Sequence, residues 1–592
     1  MDEYLKILRQ ATRYHQKGDF VQAEKLYRQV LEQKPNQSLA LHSMGLIAYQ
    51  QQNFEDAAEF VSQAINADPQ AAHLYNSMGV ISEALDQTDK AIRSYQEALH
   101  LKPDYAEAHK NLGLIYQNQQ KNEQAIKCFQ TALNIDTNCV ECMCHLADLL
   151  LDCNRYAEAV ANYKNAIMLN PNMAEAYNNL ALALKQQNRF DEAVNAQQKA
   201  LQLKPDQINF QTNMASIYQA KGSLTEALAI CKKVIDQSPD NPVHYYNLAC
   251  VLRDQGLLDE AIDNNNKALQ LDSQMAAAHW NQAICYLLNG NFPKGWQEFQ
   301  WRRQIPYQYR YPHYHAQPMW QGEPLQGNIY VYCEQGLGDA IQFLRYMPQV
   351  KNLCSHVTLG AWKPLIQLFK NHPDIDELVC LNWSSPPDIK FDMQCSLLDL
   401  PAVFNINPNT MEAPKAYITA EPEKIEYFKD IINAPGLKVG IAWSGSKRHV
   451  NDRTRSADFT YFETLTSIPN ISIYSLQKHI RDIRLKEKIH NLGITDLAEH
   501  LTGFANTAAI IANLDLIITV DTAVLHLAGA MNKSTWGLLA FSPDWRWMLK
   551  RTDSPWYPGM RLFRPDKPGN WDSVFDQVKT HLRDTVTDFM RD

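Results

Sequence analysis

From Tyr4 to Met275 the small and apolar positions of the chain return every 34 residues. Pro35, Pro69, Pro103, Pro171, Pro205 and Pro239 fall on one register, with Thr137 and Ser273 in the two slots that lack proline. One fixed offset holds Ala11, Gly45, Gly79, Gly113, Ala147, Ala181, Ala215, Ala249 and Ala283. A second runs from Ala23 to Ala261 as alanine throughout, with Gly295 next. Small side chains at two phases let two antiparallel helices approach closely, and the proline stops the second helix before the next pair begins. The pattern predicts an α-solenoid of eight helix pairs and a partial ninth from Ala276 to about Arg303.

This period and layout are those of the tetratricopeptide repeat. In the ninth unit the second helix departs from the pattern and reads GWQEFQWRR, as expected where a solenoid stops stacking on itself and docks onto something else. Asn111, Asn179, Asn213, Asn247 and Asn281 share the sixth position of their repeats, on the helix that faces the groove. A side-chain amide both donates and accepts, so a row of them suits an extended protein or peptide acceptor of any sequence. Solvated amides that contact nothing are the competing reading.

The solenoid is assigned to residues 1–305. From 306 to 327 four prolines interrupt an aromatic stretch with neither helical nor alternating pattern, a linker. Short apolar runs then alternate with helical ones: NIYVYCE, VTLGA and ELVCLN in 328–435, and LKVGIAWSGS, ISIYSL and DLIITVD in 436–592. Strand, glycine turn and helix in that order, twice over, predict two Rossmann-like halves; with a cleft between them that is an α/β GT-B fold following the solenoid, while tandem sheets alone also suit many binding proteins.

The chain has 592 residues, too many for one core, so two bodies are expected. A net charge of -9 gives no global reason to expect nucleic acid. No apolar stretch is long enough to span a membrane, and the opening MDEYLKILRQ is already in repeat phase, which predicts no leader and a cytoplasmic protein. Twelve cysteines without a secretion signal read as reduced, small apolar thiols. The cluster Cys139, Cys142, Cys144, His145 does not suit a metal, because Cys142 and Cys144 point to different faces of one helix. Homo-oligomerisation stays open.

Four segments in order, EQGLGDAIQF, WSGSKRHVNDRTRS, VDTAVLHLAGA and FSPDWRWMLKRTDSPWYPGMRLF, resemble the heptosyltransferase-like (family 9-like) glycosyltransferases over about Gly327 to Arg564. The order of repeats then catalytic half also resembles O-GlcNAc transferase, with its asparagine ladder, and the repeat-bearing flagellin glycosyltransferases. The resemblance implies a nucleotide-sugar donor as substrate, no other cofactor and no metal; no Asp-x-Asp stands at a suitable strand end to hold one.

Glycosyl transfer needs a base for the acceptor proton and a holder for the charge on the departing phosphate. Asp339, after a glycine turn, matches the family's aspartate and is the candidate base; its competing role is to cap its own helix. Asp521, Thr522 and Ala523 stand where a strand ends and a helix begins, which suits a pyrophosphate, with His526 on the same helical face. Ala523 replaces the family's glycine, which leaves the closest backbone approach open. Arg455 takes the place of the family's phosphate-binding lysine, in a basic loop with Lys447, Arg448 and Arg453; Ser444 and Gly445 precede it. Trp545, Trp547, Trp556 and Tyr557 either stack on the ligand or seal the domain. The expected function is transfer of a sugar to a serine or threonine hydroxyl of a protein, with inversion. A repeat scaffold with a degenerate transferase domain, and a transferase acting on a cell-envelope glycan, are the alternatives.

Overall fold

The computed structural model describes residues 3–305, 316–382, 385–410, 416–447, 452–478 and 480–591. Paired helices run from Glu3–Gln16 with Phe20–Gln33 to Ala276–Leu288 with Phe292–Phe299, eighteen helices among the described residues. The small positions do what their phase predicts. A Cβ on Gly45 would lie 2.6 Å from Val61, one on Gly113 would lie 3.0 Å from Phe129, and one on Gly79 would overlap the Tyr95 ring. Close approach of the two helices of a repeat therefore depends on an absent side chain.

The turn inside each repeat holds a left-handed residue at the same period: Gly18, Gln52, Asp86, Gln120, Asn154, Asn188, Gly222, Gly256 and Gly290 all have positive φ. The left-handed turn ends the first helix and reverses the chain. Glycine fills only some of these slots, which is why residue identity alone did not reveal the position.

The chain divides into two compact units, Met1–Ile230 and Cys231–Asp592. The second contains the last repeats together with two parallel sheets. In the first sheet, β1 (Leu325–Tyr332), β2 (Cys354–Trp362), β3 (Glu377–Leu381) and β4 (Met393–Ser396) lie in the order β3-β2-β1-β4. In the second, β5 (Leu437–Ala442), β6 (Ile471–Ser475), β7 (Thr495–Asp496), β8 (Leu516–Val520), β9 (Thr535–Leu538) and β10 (Met560–Phe563) lie in the order β10-β9-β8-β5-β6-β7. Val439, Ile441, Ile518 and Leu538 from β5, β8 and β9 share a core with Val574, Val578 and Leu582 of the final helix, Trp571–Phe589. Two Rossmann-like sheets after a solenoid are the fold the sequence predicts. The strands β4, β7, β9 and β10 are too short to stand out as apolar runs. Part of the linker, 306–315, lies outside the described residues; β1 begins inside its C-terminal end, and Trp320 is buried there.

The divergent helix of the ninth repeat docks. Trp296 Nε1 donates to the Ile406 carbonyl at 2.7 Å. Arg302, 1% exposed, forks onto Glu334 at 3.1 and 2.7 Å and donates to Asp399 at 2.7 Å, and Arg303 pairs with the same Asp399. A buried guanidinium is tolerable only with such partners. Burial is offset by the two guanidinium groups, which hold the Asp399 carboxyl below its usual range.

One thiol expectation is corrected. Cys139 and Cys142 form a disulfide at the start of the helix Val140–Asp152, where they are one turn apart. The remaining ten cysteines are free. Among the described residues no cluster suits a metal, and no helix is long and apolar enough to cross a membrane.

Candidate active site

The glycine turn after β1 leads into a short helix, Leu337–Phe343. Asp339 is its third residue, not its cap, and reaches back so that Oδ2 accepts the Gly336 N–H at 2.7 Å. The other oxygen, Oδ1, is held by Arg546, which comes from the second sheet's side of the molecule. Arg546 also donates to Gln342 Oε1 at 2.6 Å and to Asp544 Oδ1 at 2.7 Å. Gly338 meets the same side: a Cβ there would lie 2.6 Å from Cδ2 of His526.

His526 lies on the helix Ala523–Ala530, whose cap is Thr522, directly after β8. The imidazole is 6% exposed and stacks on Trp547 at 5.3 Å. Its Nδ1 shares a hydrogen bond with the Tyr557 hydroxyl at 2.9 Å, and its Nε2 stands 3.9 Å from Asp521 Oδ1. Burial, then Arg546, Arg345 and Arg455, hold its pKa well below that of free histidine, so it is neutral at pH 7. The sequence puts it against the ligand; in the structure the imidazole is buried, with Gly338, Trp547 and Tyr557 around it and Asp521 at 3.9 Å.

Asp521, Thr522 and Ala523 are half-buried at the end of β8. Burial, reinforced by Asp544, pushes the Asp521 carboxyl up to about 6, against the opposing pull of Arg455, the Trp547 indole and Arg546. Arg455 lies across the turn after β5, where a Cβ on Gly445 would meet its Nη2 at 2.5 Å. Its Nε is buried with no hydrogen-bond partner among the described residues, and Asp452 stands off at 3.8 Å. Gln477 Oε1 accepts the N–H groups of Trp443 and Ser444 at 3.2 and 3.0 Å, which fixes the turn that Arg455 covers. Asp339, Ser444, Gly445, Arg455, Asp521, Thr522, Ala523 and His526 thus cluster around the C-terminal ends of β1, β5 and β8. Lys447 and Arg453 are exposed, and Arg448 lies outside the described residues.

Trp545, Trp547, Trp556 and Tyr557 are all buried, which decides for sealing. Trp545 packs on Trp296 at 5.3 Å and Phe299 at 6.0 Å, and Trp556 Nε1 donates to the Arg546 carbonyl at 2.9 Å. Sequence reasoning missed Arg546, Asp544 and Arg345. Arg345 donates to the Trp556 carbonyl at 2.7 Å and to the Tyr417 hydroxyl at 2.9 Å. A basic residue set between two tryptophans, as in DWRW, was the available signal for Arg546.

The groove amides differ from one another. Asn111 donates to Asn76 at 3.2 Å, Asn179 to Asp148 at 2.9 Å and Asn213 to Asn178 at 2.8 Å, each reaching the preceding repeat. Asn281 is buried, donates to Asn265 at 3.2 Å and accepts from Arg253 at 2.6 Å. Of the five, Asn281 alone is fully buried, held between Asn265 and Arg253. Asn247 is half-buried.

Comparison with known proteins finds similarity to tetratricopeptide repeats along the first half of the chain and to glycosyltransferase family 9 in part of the second. Profiles described as tetratricopeptide or TPR repeat match residues 14–79, 84–120, 106–139, 147–188, 174–207 and 206–274. The profile for glycosyltransferase family 9 (heptosyltransferase) matches residues 477–557, which include Asp521, His526 and Arg546. Among curated proteins the chain is similar to Protein FlbA of Caulobacter vibrioides, 24% identical over 345 residues, or 52% of this chain. The match spans 55% of that relative's length, about half. Among solved structures it is similar to YrrB, a TPR protein with an unusual peptide-binding site, at 23% identity and TM-score 0.31, over 32% of this chain and 96% of that one. It is also similar to PilF of Pseudomonas aeruginosa, at 22% identity and TM-score 0.33, over 36% of this chain and 97% of that one.

Proposed function

We propose that this chain is an inverting glycosyltransferase that moves a sugar from a nucleotide sugar to a hydroxyl of a protein held by the repeats. One observation carries it: Asp339, which follows β1 of the first sheet, is held by Arg546 from the second, and the adjacent Gly338 lies against His526. In the proposed step Asp339 takes the acceptor hydroxyl proton as the oxygen bonds to the anomeric carbon. The bond from that carbon to the phosphate oxygen breaks, and its electron pair leaves with the nucleoside diphosphate. Arg546 and Gly336 occupy one acceptor position on each Asp339 oxygen, so lone pairs remain for the proton.

The Nε of Arg455, without a hydrogen-bond partner among the described residues, and the amides at the start of the helix Ala523–Ala530 suit the departing phosphate charge. That charge needs no divalent ion if these groups meet it, and turnover that persists in EDTA is the check.

The test is a thermal-shift screen of the full chain against UDP-, GDP-, ADP- and CMP-linked sugars and the free nucleotides. A ligand at 100 times its Kd adds about 2.7 kcal/mol of stability, readily visible as a raised Tm. Stabilisation by one nucleotide family, lost in Arg455→Ala, supports the donor site. No response to any of them leaves the scaffold alternative.

A further inference from the structure

We propose that Arg546 is the positioning residue of this site, a guanidinium that fixes the Asp339 carboxylate in the orientation from which it takes the acceptor proton. This role rests on the reading of Asp339 as the base. Asp339 sits near the start of a seven-residue helix and has one local restraint, the Gly336 N–H on Oδ2. With Oδ2 alone held, the carboxylate can swing about that bond. Arg546 on Oδ1 removes the freedom.

Arg546 is itself immobilised from every side. Asp544 and Gln342 take two further N–H groups, the planar guanidinium lies 4.3 Å from the Trp545 ring centroid and 5.5 Å from that of Phe343, and its carbonyl is held by Trp556. A guanidinium offers five donors in a fixed fork, so one residue can orient a carboxylate and an amide at once; an ammonium cannot span them. The arrangement crosses between the two sheets, since Asp339 and Gln342 follow β1 whereas Asp544 and Arg546 follow β9. Trp545, one residue away, is packed on Trp296 and Phe299 of the ninth repeat. The orientation of the base is thereby tied to the end of the solenoid through adjacent residues of one short segment.

A buried ion pair that merely holds two halves together would contain the same contacts. The two roles separate in turnover. The experiment compares wild type, Arg546→Lys, Arg546→Met, Asp339→Asn and the double variant Arg546→Met with Asp339→Asn. Nucleotide release from UDP-, GDP-, ADP- and CMP-linked sugars gives turnover, and titration with the matching free nucleotide gives its Kd. Positioning predicts that Arg546→Met loses at least about tenfold in kcat with the nucleotide Kd unchanged, that Arg546→Lys loses less, and that Asp339→Asn costs less in the Arg546→Met background than in wild type. Hydrogen exchange at residues 336–343 should rise in Arg546→Met while the rest of the first sheet keeps its protection. Wild-type kcat in a folded Arg546→Met variant overturns the role, as do losses that multiply in the double variant. If Arg546→Met does not fold, the folded Arg546→Lys variant decides by the same split. Wild-type protein that releases no nucleotide from any donor removes the transferase reading and this role with it, an outcome distinct from active wild type beside an active Arg546 variant.

Discussion

Gly338 and His526 touch across the two sheets: the imidazole edge occupies the space where any larger residue at 338 would carry its Cβ, 2.6 Å from Cδ2. The contact sets the separation between the turn that carries Asp339 and the strand end that carries Asp521. Gly338→Ala must therefore push the two apart or tilt a buried ring. Overpacking of this kind costs about 1–3 kcal/mol. We expect a Tm lower by several degrees and reduced nucleotide release, with both losses smaller when His526→Ala supplies the missing space. Equal losses in the single and double variants refute the contact.

Asp521 makes stability depend on pH with an unusual sign. Its folded pKa is raised to about 6, so its contribution is full below the unfolded value near 3.8 and is lost as pH rises through about 6. Two units at 1.36 kcal/mol each give a contribution on the order of 2–3 kcal/mol. The facing groups are Asp544, Arg455, Trp547, Arg546 and His526, whose own pKa burial and the surrounding arginines hold well below that of free histidine. We expect wild type to lose stability relative to Asp521→Asn between pH 4 and pH 7. Chemical denaturation of both proteins at each pH checks it, and parallel curves refute it.

The junction of the last repeat with the first sheet rests on Arg302, Arg303, Glu334 and Asp399. Asp399→Ala removes the carboxylate that the two guanidinium groups share and leaves the buried Arg302 with Glu334 as its one remaining carboxylate, at a cost of about 3–5 kcal/mol. Asp399 has a depressed pKa, so its stabilisation is present above the unfolded carboxylate value and is lost as pH falls through the folded one. Urea melts at pH 7 give the first number and an acid titration gives the second.

The groove amides separate into two kinds. Asn281→Ala leaves Arg253 and Asn265 short of a partner and should cost about 1–3 kcal/mol, whereas Asn247→Ala should stay within about 0.5 kcal/mol. Acceptor binding is therefore best tested at Asn247, where a loss of capture is not confounded by unfolding. Equal melting temperatures for the two variants would place Asn281 at the surface after all.

Gln120 holds a left-handed turn with φ 58°. Glycine adopts that conformation without the Cβ penalty of about 1–2 kcal/mol, although it gains entropy in the unfolded chain. We expect Gln120→Gly to stabilise the chain by about 0.5–1 kcal/mol, measured by urea denaturation, and a destabilised variant refutes it.

The repeats were legible in the sequence because their determinants are local and recur: a small residue, an alanine and a proline at fixed offsets specify close helix pairs wherever they fall. The strand-turn-helix units were legible for a related reason, since apolar runs of five or six residues ending at glycine or aspartate mark strand ends. Of the candidate site, Asp339 and the residues after β5 and β8 were legible, because each sits at such an end. What the partners are was not. Arg546 reaches Asp339 from the far end of the second half, His526 supports Gly338 from another sheet, and Arg302 finds Asp399 across the docked repeat. Each of these pairings depends on which surfaces meet and what becomes buried, and charge and burial act through space without regard to chain order. The tertiary structure likewise decided that His526 and the aromatic residues Trp545, Trp547, Trp556 and Tyr557 are buried, and that Asn281 is closed in by its neighbours while Asn247 is only half-buried.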